Sequence, residues 1–199
     1  MPTTESPMRA RSRRRLCEAV TQLLDDRDPT DVTITDVVRE AGLTRPTFYA
    51  IWDGLPAAFA EAAVERLNEA FDGVVLGRFD EVPDREGLNE VLRTIMVRLQ
   101  PHAGFYAKVL TGPSAFVVQR AMVERVCTRI RWSTAVREVL AAGPVGGQVA
   151  AEAIAAAIMW IITRWLEDHP GAPLEDVVDL LGGTVWAMID GGLGASAAG

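Results

Sequence analysis

Apolar residues recur along this chain at intervals of three and four, and the stretches between those runs carry glycine, proline and acid clusters. Leu16, Ala19, Val20, Leu23 and Leu24 form the first apolar stripe and predict a helix from about Arg9 to Asp26. DDRDPTD ends it with turn chemistry. Two short helices are expected next, after Thr33 and after Thr44. A longer one from Pro56 to about Val75 sets Ala60, Ala63, Val64, Leu67 and Phe71 on one side. Past VPDRE, Leu88, Val91, Leu92, Ile95 and Leu99 mark a helix over Gly87–Leu99, and Pro101 and Gly104 bound a short one, Phe105–Leu110. TGPS breaks the chain before a single long helix expected over Ala115–Ala141, with Phe116, Met122, Val126, Ile130 and Val136 inward. AAGPVGG breaks it again, and DHPGAP separates two final helices, Gln148–Glu167 and Leu174–Ile189. Glu175 and Asp176 fall in the first turn of the last one, where the helix dipole favours acids. MPTTESP and GGLGASAAG read as flexible tails. No convincing strand and no internal repeat emerges, so the expected class is all-α.

The segment Thr33–Trp52, TITDVVREAGLTRPTFYAIW, is the most specific. Thr33 with Asp36 three residues on makes a capping box. Val37, Val38 and Ala41 keep helical spacing, and Gly42 follows where a helix ends in the left-handed conformation. Thr44 can cap a second helix, with Pro46 in its first turn, where a missing N–H matters least. That helix carries Arg45, Thr47 and Tyr49 on its amino-terminal half. This is the layout of a helix-turn-helix, whose second helix enters the major groove amino end first.

The order A-G-L-T-R-P-T-F-Y-A-I-W, preceded by T-I-T-D-V-V and followed by an aliphatic helix, resembles the tetracycline-repressor (TetR) family of bacterial regulators over residues 9 to 60. Ala41, Gly42, Leu43 and Thr44 take the family's turn, and Phe48, Tyr49 and Trp52 its aromatics. The chain departs from the pattern at Ala50, Ile51 and Leu55, where the family commonly has a basic or polar residue, a histidine and a phosphate-contacting lysine. Ala58 stands where leucine is usual. The resemblance implies an all-helical homodimer. Its amino-terminal three-helix helix-turn-helix domain would span residues 1–54, and its carboxy-terminal helical ligand-binding and dimerisation domain residues 55–199.

Charge changes this picture locally. The chain of 199 residues carries a net charge of −7, which excludes a wholly basic nucleic-acid coat. Yet MRARSRRR holds Arg9, Arg11, Arg13, Arg14 and Arg15 without an acid, and is expected to act as an arm ahead of the first helix, suited to phosphates or the minor groove. Arg45 and Thr47 suit base edges, since arginine pairs with guanine O6 and N7 and a threonine methyl touches thymine. Thr44 and Tyr49 suit phosphates, and Thr33 is placed for capping and a phosphate contact together. Phe48, Trp52 and Phe59 read as packing. The expected partner is a double-stranded DNA operator.

AIAAAIMWII is apolar all around a helix, and Val177, Val178, Leu181, Val185, Trp186 and Ile189 give the last helix a broad apolar face. One subunit can hardly cover both, so these two helices are expected to build the dimer interface that the resemblance also implies. An apolar or aromatic effector pocket, again implied by the resemblance, is placed at Phe71, Met96, Phe105, Tyr106, Met122 and Trp160. Tyr106, Gln119, Thr128, Arg129 and Thr163 are candidates for its polar groups.

Nothing in the sequence has a catalytic pattern. His102 and His169 sit beside prolines without a nucleophile, and no His, Cys or carboxylate spacing fits a metal. Cys17 and Cys127 lie far apart among apolar neighbours and read as buried reduced thiols. No enzyme, metal or cofactor is expected. No apolar run follows the amino-terminal arginines, as a signal peptide requires, and the run Ala153–Ile162 is about half the ~20 residues of a membrane span. The expected chain is cytoplasmic, without a membrane partner. It reads as a ligand-responsive regulator, most simply a repressor released from a near-palindromic operator. The competing readings are a helical small-molecule-binding module of the same fold that no longer binds DNA, and a helical enzyme with an unrecognised site.

Overall fold

The computed structural model describes residues 6–74, 84–168 and 173–190. The amino-terminal stretch up to residue 5, the helix end expected at Val75, His169 and the glycine-rich tail lie outside them. The described residues form ten α-helices and no strand: α1 (Pro7–Asp26), α2 (Ile34–Glu40), α3 (Arg45–Tyr49), α4 (Leu55–Phe71), α5 (Arg85–Leu99), α6 (Ala103–Thr111), α7 (Ala115–Trp132), α8 (Thr134–Ala142), α9 (Gly147–Asp168) and α10 (Leu174–Met188). They fall into two compact units. One comprises Met1–Arg66 with Gly104–Ala121, the other Leu67–Ala103 with Met122–Gly199.

The first unit is built on α1. Leu16, Ala19, Val20, Leu23 and Leu24 are all buried, and α1 packs on α2 and α2 on α3. Phe48 and Phe59 complete this core. Helix α6 belongs here too. The Lys108 ammonium donates to the carbonyls of Leu24 at 3.1 Å, Asp25 at 3.1 Å and Arg27 at 3.3 Å, closing the end of α1 where the helix dipole is negative. Arg66 grips both carboxylate oxygens of Asp25 at 2.7 and 2.8 Å and lies 4.4 Å over the Phe105 ring.

In the second unit α10 packs on α5 and α9, and α8 on α9. The long helix expected over Ala115–Ala141 is two helices. Ser133 leaves the helical conformation (φ −71°, ψ 118°), and its hydroxyl accepts the Val136 N–H at 3.4 Å, starting α8 afresh. The apolar spacing runs through this break, which only the capping role of Ser133 marks. Val177, Val178, Leu181 and Val185 are buried within the subunit, so these four residues are covered by their own chain and are not free for the expected dimer interface, whereas Trp186 and Ile189 are only half-buried. Contact with α5 is close because residue 182 is glycine: a Cβ there would overlap the Asn89 side-chain amide. Arg93 binds Glu175 and Glu90 across and along the pair, at 2.9 and 2.6 Å.

Helix α9 also corrects an expectation. Over Gly147–Glu167 it is long and apolar enough to cross a membrane, because small alanines extend the apolar window beyond Ala153–Ile162. Within it Val149 and Trp160 are exposed.

Candidate nucleic-acid interface and effector residues

The helix-turn-helix forms from local chemistry. Asp36 N–H donates to Thr33 Oγ1 at 3.2 Å, while the Asp36 carboxylate accepts from the Thr33 backbone at 3.1 Å and its hydroxyl at 2.6 Å. These Thr33 bonds, hydroxyl first, hold the Asp36 carboxyl below its ordinary value, with Arg39 and Arg27 adding to them against desolvation. Helix α2 ends in a Schellman motif: Leu43 N–H reaches Val38 O at 2.8 Å and Gly42 N–H reaches Arg39 O at 3.1 Å. That geometry needs the φ of +60° that Gly42 supplies.

Thr44 sits at the N-cap of α3 but does not cap it. Its hydroxyl pairs instead with that of Thr47 at 2.9 Å. Phe48 is fully buried and meets Tyr49 and Trp52 edge-on, with ring centroids 5.6 and 5.3 Å apart. This anchor turns Thr44, Arg45 and Tyr49 outward, with Thr47 half-buried beside them. Arg45 has no hydrogen-bond or ion-pair partner among the described residues. A helix held by its aromatic face, with an unpaired guanidinium at its amino end, can offer donors to base edges without first breaking a protein contact.

The expected arginine arm is helix. Ser6 caps α1 by accepting Arg9 N–H at 3.3 Å, and Pro7 fills the first turn. This divides the arginines by face. Arg9 donates to Ala50 O at the end of α3 at 2.7 Å, and Arg13 to Glu61 Oε2 at 2.8 Å. The same Glu61 oxygen accepts the indole N–H of buried Trp52 at 2.7 Å. Nothing in the sequence pattern marks Glu61 for this role, since both its partners come from outside α4. Arg9 and Arg13 therefore brace α3 and the start of α4 to α1. Arg11, Arg14 and Arg15 stay exposed and without ion pairs among the described residues. Arg15 Nη2 lies over the turn between α2 and α3, 2.9 Å from where a Gly42 Cβ would be. Thr33 is exposed, but its hydroxyl is engaged by Asp36.

The effector residues divide between the units. Phe105 and Tyr106 lie buried in the first, with rings 5.2 Å apart. Phe71, Met96 and Met122 lie buried in the second, and Trp160, of that unit too, is 64% exposed. Within the second unit the end of α4 is closed by arginines. Arg98 donates to Ala70 O and Asp72 O, and Arg129 to Phe71 O at 3.1 Å and Val74 O at 3.4 Å. Thr163 is buried, and its hydroxyl has no partner among the described residues.

These features define an all-helical protein with an amino-terminal helix-turn-helix. No family model matches the chain, and no curated protein does. Solved structures match over nearly its whole length. It is similar to a TetR transcriptional regulator from Rhodococcus sp. RHA1, with a TM-score of 0.60 and 16% identity over 90% of this chain and 97% of that one. Similarity to Thermus thermophilus FadR, a TetR-family repressor solved with lauroyl-CoA, gives 0.62 and 18% over 94% and 99%. A TetR-family regulator from Streptomyces coelicolor gives 0.54 and 16% over 88% and 81%. The chain thus has the fold of TetR-family transcriptional regulators, as the resemblance over the helix-turn-helix implied.

Proposed function

We propose that this protein is a cytoplasmic, ligand-responsive transcriptional regulator, most simply a repressor, that binds a near-palindromic operator as a homodimer. The observation that carries this reading is α3: Phe48 fully buried beneath it, Arg45 unpaired at its amino end, and a Schellman turn fixing its entry. Arg45 and Thr47 read base edges. Thr44, Tyr49, Arg11 and Arg14 take phosphates, whereas Arg9 and Arg13 hold the reading helix in place.

Dimerisation is supported by an apolar stripe on α9. Val149, Ala153, Ala156 and Trp160 fall on one face at helical spacing, and Val149 and Trp160 are 57% and 64% exposed. An exposed apolar stripe supports pairing with a second copy through this face. Two reading heads about one DNA turn apart, ~34–36 Å, or a multiple of it, engage both half-sites. The effector is a small apolar or aromatic compound taken up among Phe71, Met96 and Met122, and the lauroyl-CoA bound by FadR supports a ligand with a large apolar part. Helix α4 is continuous from Leu55 to Phe71, so displacement of its last turn is carried to its first. The effector must bind the DNA-incompetent state more tightly, and operator must then weaken effector binding by the same factor.

A gel shift against the DNA upstream of the protein's own gene tests this reading. Arg45→Ala is expected to lose ~1–3 kcal/mol on the operator and to relax discrimination at one base pair. Equal losses on operator and scrambled DNA would make Arg45 a phosphate contact only. No shift on any upstream fragment would leave the module that no longer binds DNA as the better reading.

A further inference from the structure

We infer that Arg125, Arg129 and Trp132, at the end of α4, form a binding site for an organic anion, whose carboxylate or phosphate is held by the two guanidiniums. This deepens the effector reading, and its regulatory meaning rests on that reading.

Helix α7 sets the three residues at i, i+4 and i+7, on one face. Arg129 lies 5.0 Å from the Phe71 ring centroid and 4.9 Å from that of Trp132. Arg125 lies 5.7 Å from the Trp132 ring and donates Nε–H to Asn68 Oδ1. Both guanidiniums are therefore oriented before any ligand arrives, which stacking and fork geometry allow for arginine and not for lysine.

Two like charges are held side by side here, and neither makes an ion pair with a carboxylate among the described residues. Burial first, and Arg125 second, draw Arg129 below its ordinary value, outweighing Asp72, which acts the other way. A guanidinium has five N–H donors. Arg129 uses Nη2 on the α4 carbonyls, while its Nε is buried without a partner among the described residues. Arg125 uses only Nε. Closing the end of α4 accounts for Arg98 and for Arg129 Nη2. It does not account for Arg125, nor for the unfilled donors of both arginines. An acceptor with two oxygens and a negative charge supplies what is missing. Trp132 is 59% exposed and offers a flat apolar surface beside the charged end, so the ligand is an anion with an apolar body.

The test is calorimetric titration of the full chain with decanoate, decyl phosphate and decanol, which share one alkyl body. The anions, or one of them, should bind about tenfold or more tightly than decanol, as hydrogen bonds to a charged group imply. Which of the two binds tighter decides between a carboxylate and a phosphate ligand. Arg125→Gln, checked for helicity by circular dichroism, should erase that preference while decanol still binds. Arg129→Gln, checked for helicity by circular dichroism, should erase it too. Equal binding of all three, binding of none, or a preference that survives Arg125→Gln would overturn the site. No DNA enters these titrations, so a failure here leaves the operator prediction standing, and a failed gel shift leaves this one standing.

Discussion

Glu61 is the residue on which the reading head turns. One of its oxygens accepts from Arg13 at 2.8 Å and from the Trp52 indole at 2.7 Å, joining α1, the segment after α3, and α4. Glu61→Ala strands the Trp52 donor, on a residue only 5% exposed. A buried donor left without an acceptor costs ~1–3 kcal/mol. The Arg13–Glu61 side chains are 33% and 22% exposed, so their ion pair adds only about 0–1 kcal/mol after solvent screening. The expected loss is therefore ~1–4 kcal/mol, most of it from the indole. Glu61→Gln keeps an acceptor and should lose about 1 kcal/mol or less. In a Trp52→Phe background the donor is already gone, and Glu61→Ala should then cost no more than the ion pair, a coupling of ~1–3 kcal/mol. Urea denaturation of the four species of this cycle measures it through the shift of the midpoint at constant slope. Additive losses would refute the claim that Trp52 and Glu61 act as one unit. Operator affinity should fall with Glu61→Ala while its salt dependence stays put, because no phosphate contact is removed.

The split among the α1 arginines predicts that Arg14→Gln makes the slope of log K against log salt shallower by roughly 0.9, whereas Arg13→Gln lowers the unfolding midpoint and leaves that slope unchanged. Gly182→Ala should destabilise by ~1–3 kcal/mol, since its Cβ would displace the Asn89 side chain from its 3.2 Å bond to Asp179; denaturation of Gly182→Ala with Asn89→Ala should recover most of that loss. The lowered Asp36 value means stability that is present above its unfolded pKa, 3.8, and lost as pH falls through the lower folded one, so the urea midpoint should drop below about pH 4 and drop less in Thr33→Val. Trp160→Glu should give a folded monomer by light scattering if α9 carries the dimer face, and an unchanged dimer would refute that placement. Val185→Asp is no such test, because Val185 is 5% exposed inside its own subunit.

The reading head was legible in the sequence because its determinants are local. The capping box of Thr33 and Asp36, the glycine at 42, Pro46 and the apolar spacing around Phe48 all act within a few residues, and each is found where the pattern placed it. The roles of the arginines were not legible. Arg9 meets its acceptor 41 residues away and Arg13 meets Glu61 48 residues away, distances over which spacing says nothing. Thr44 was expected to cap α3, but a second hydroxyl at Thr47 competes for it. The break at Ser133 was hidden because apolar residues continue in phase on both sides. The apolar face of α10 was visible, but sequence alone does not say which helix covers it, and here α5 and α9 of the same chain do so. The attachment of α6 to the first unit rests on Lys108 reaching carbonyls 81 to 84 residues away.

The central claim is that α3 reads base edges. Repeated selection of bound duplexes from a random DNA pool, using the full chain at physiological salt, addresses it directly, because the protein itself picks the operator sequence. The account predicts enrichment of a near-palindrome with two half-sites about one helical turn apart, and loss of one defined base pair per half-site when the selection is repeated with Arg45→Ala. Retention of DNA with no enriched sequence, or an identical sequence selected by Arg45→Ala, would contradict it.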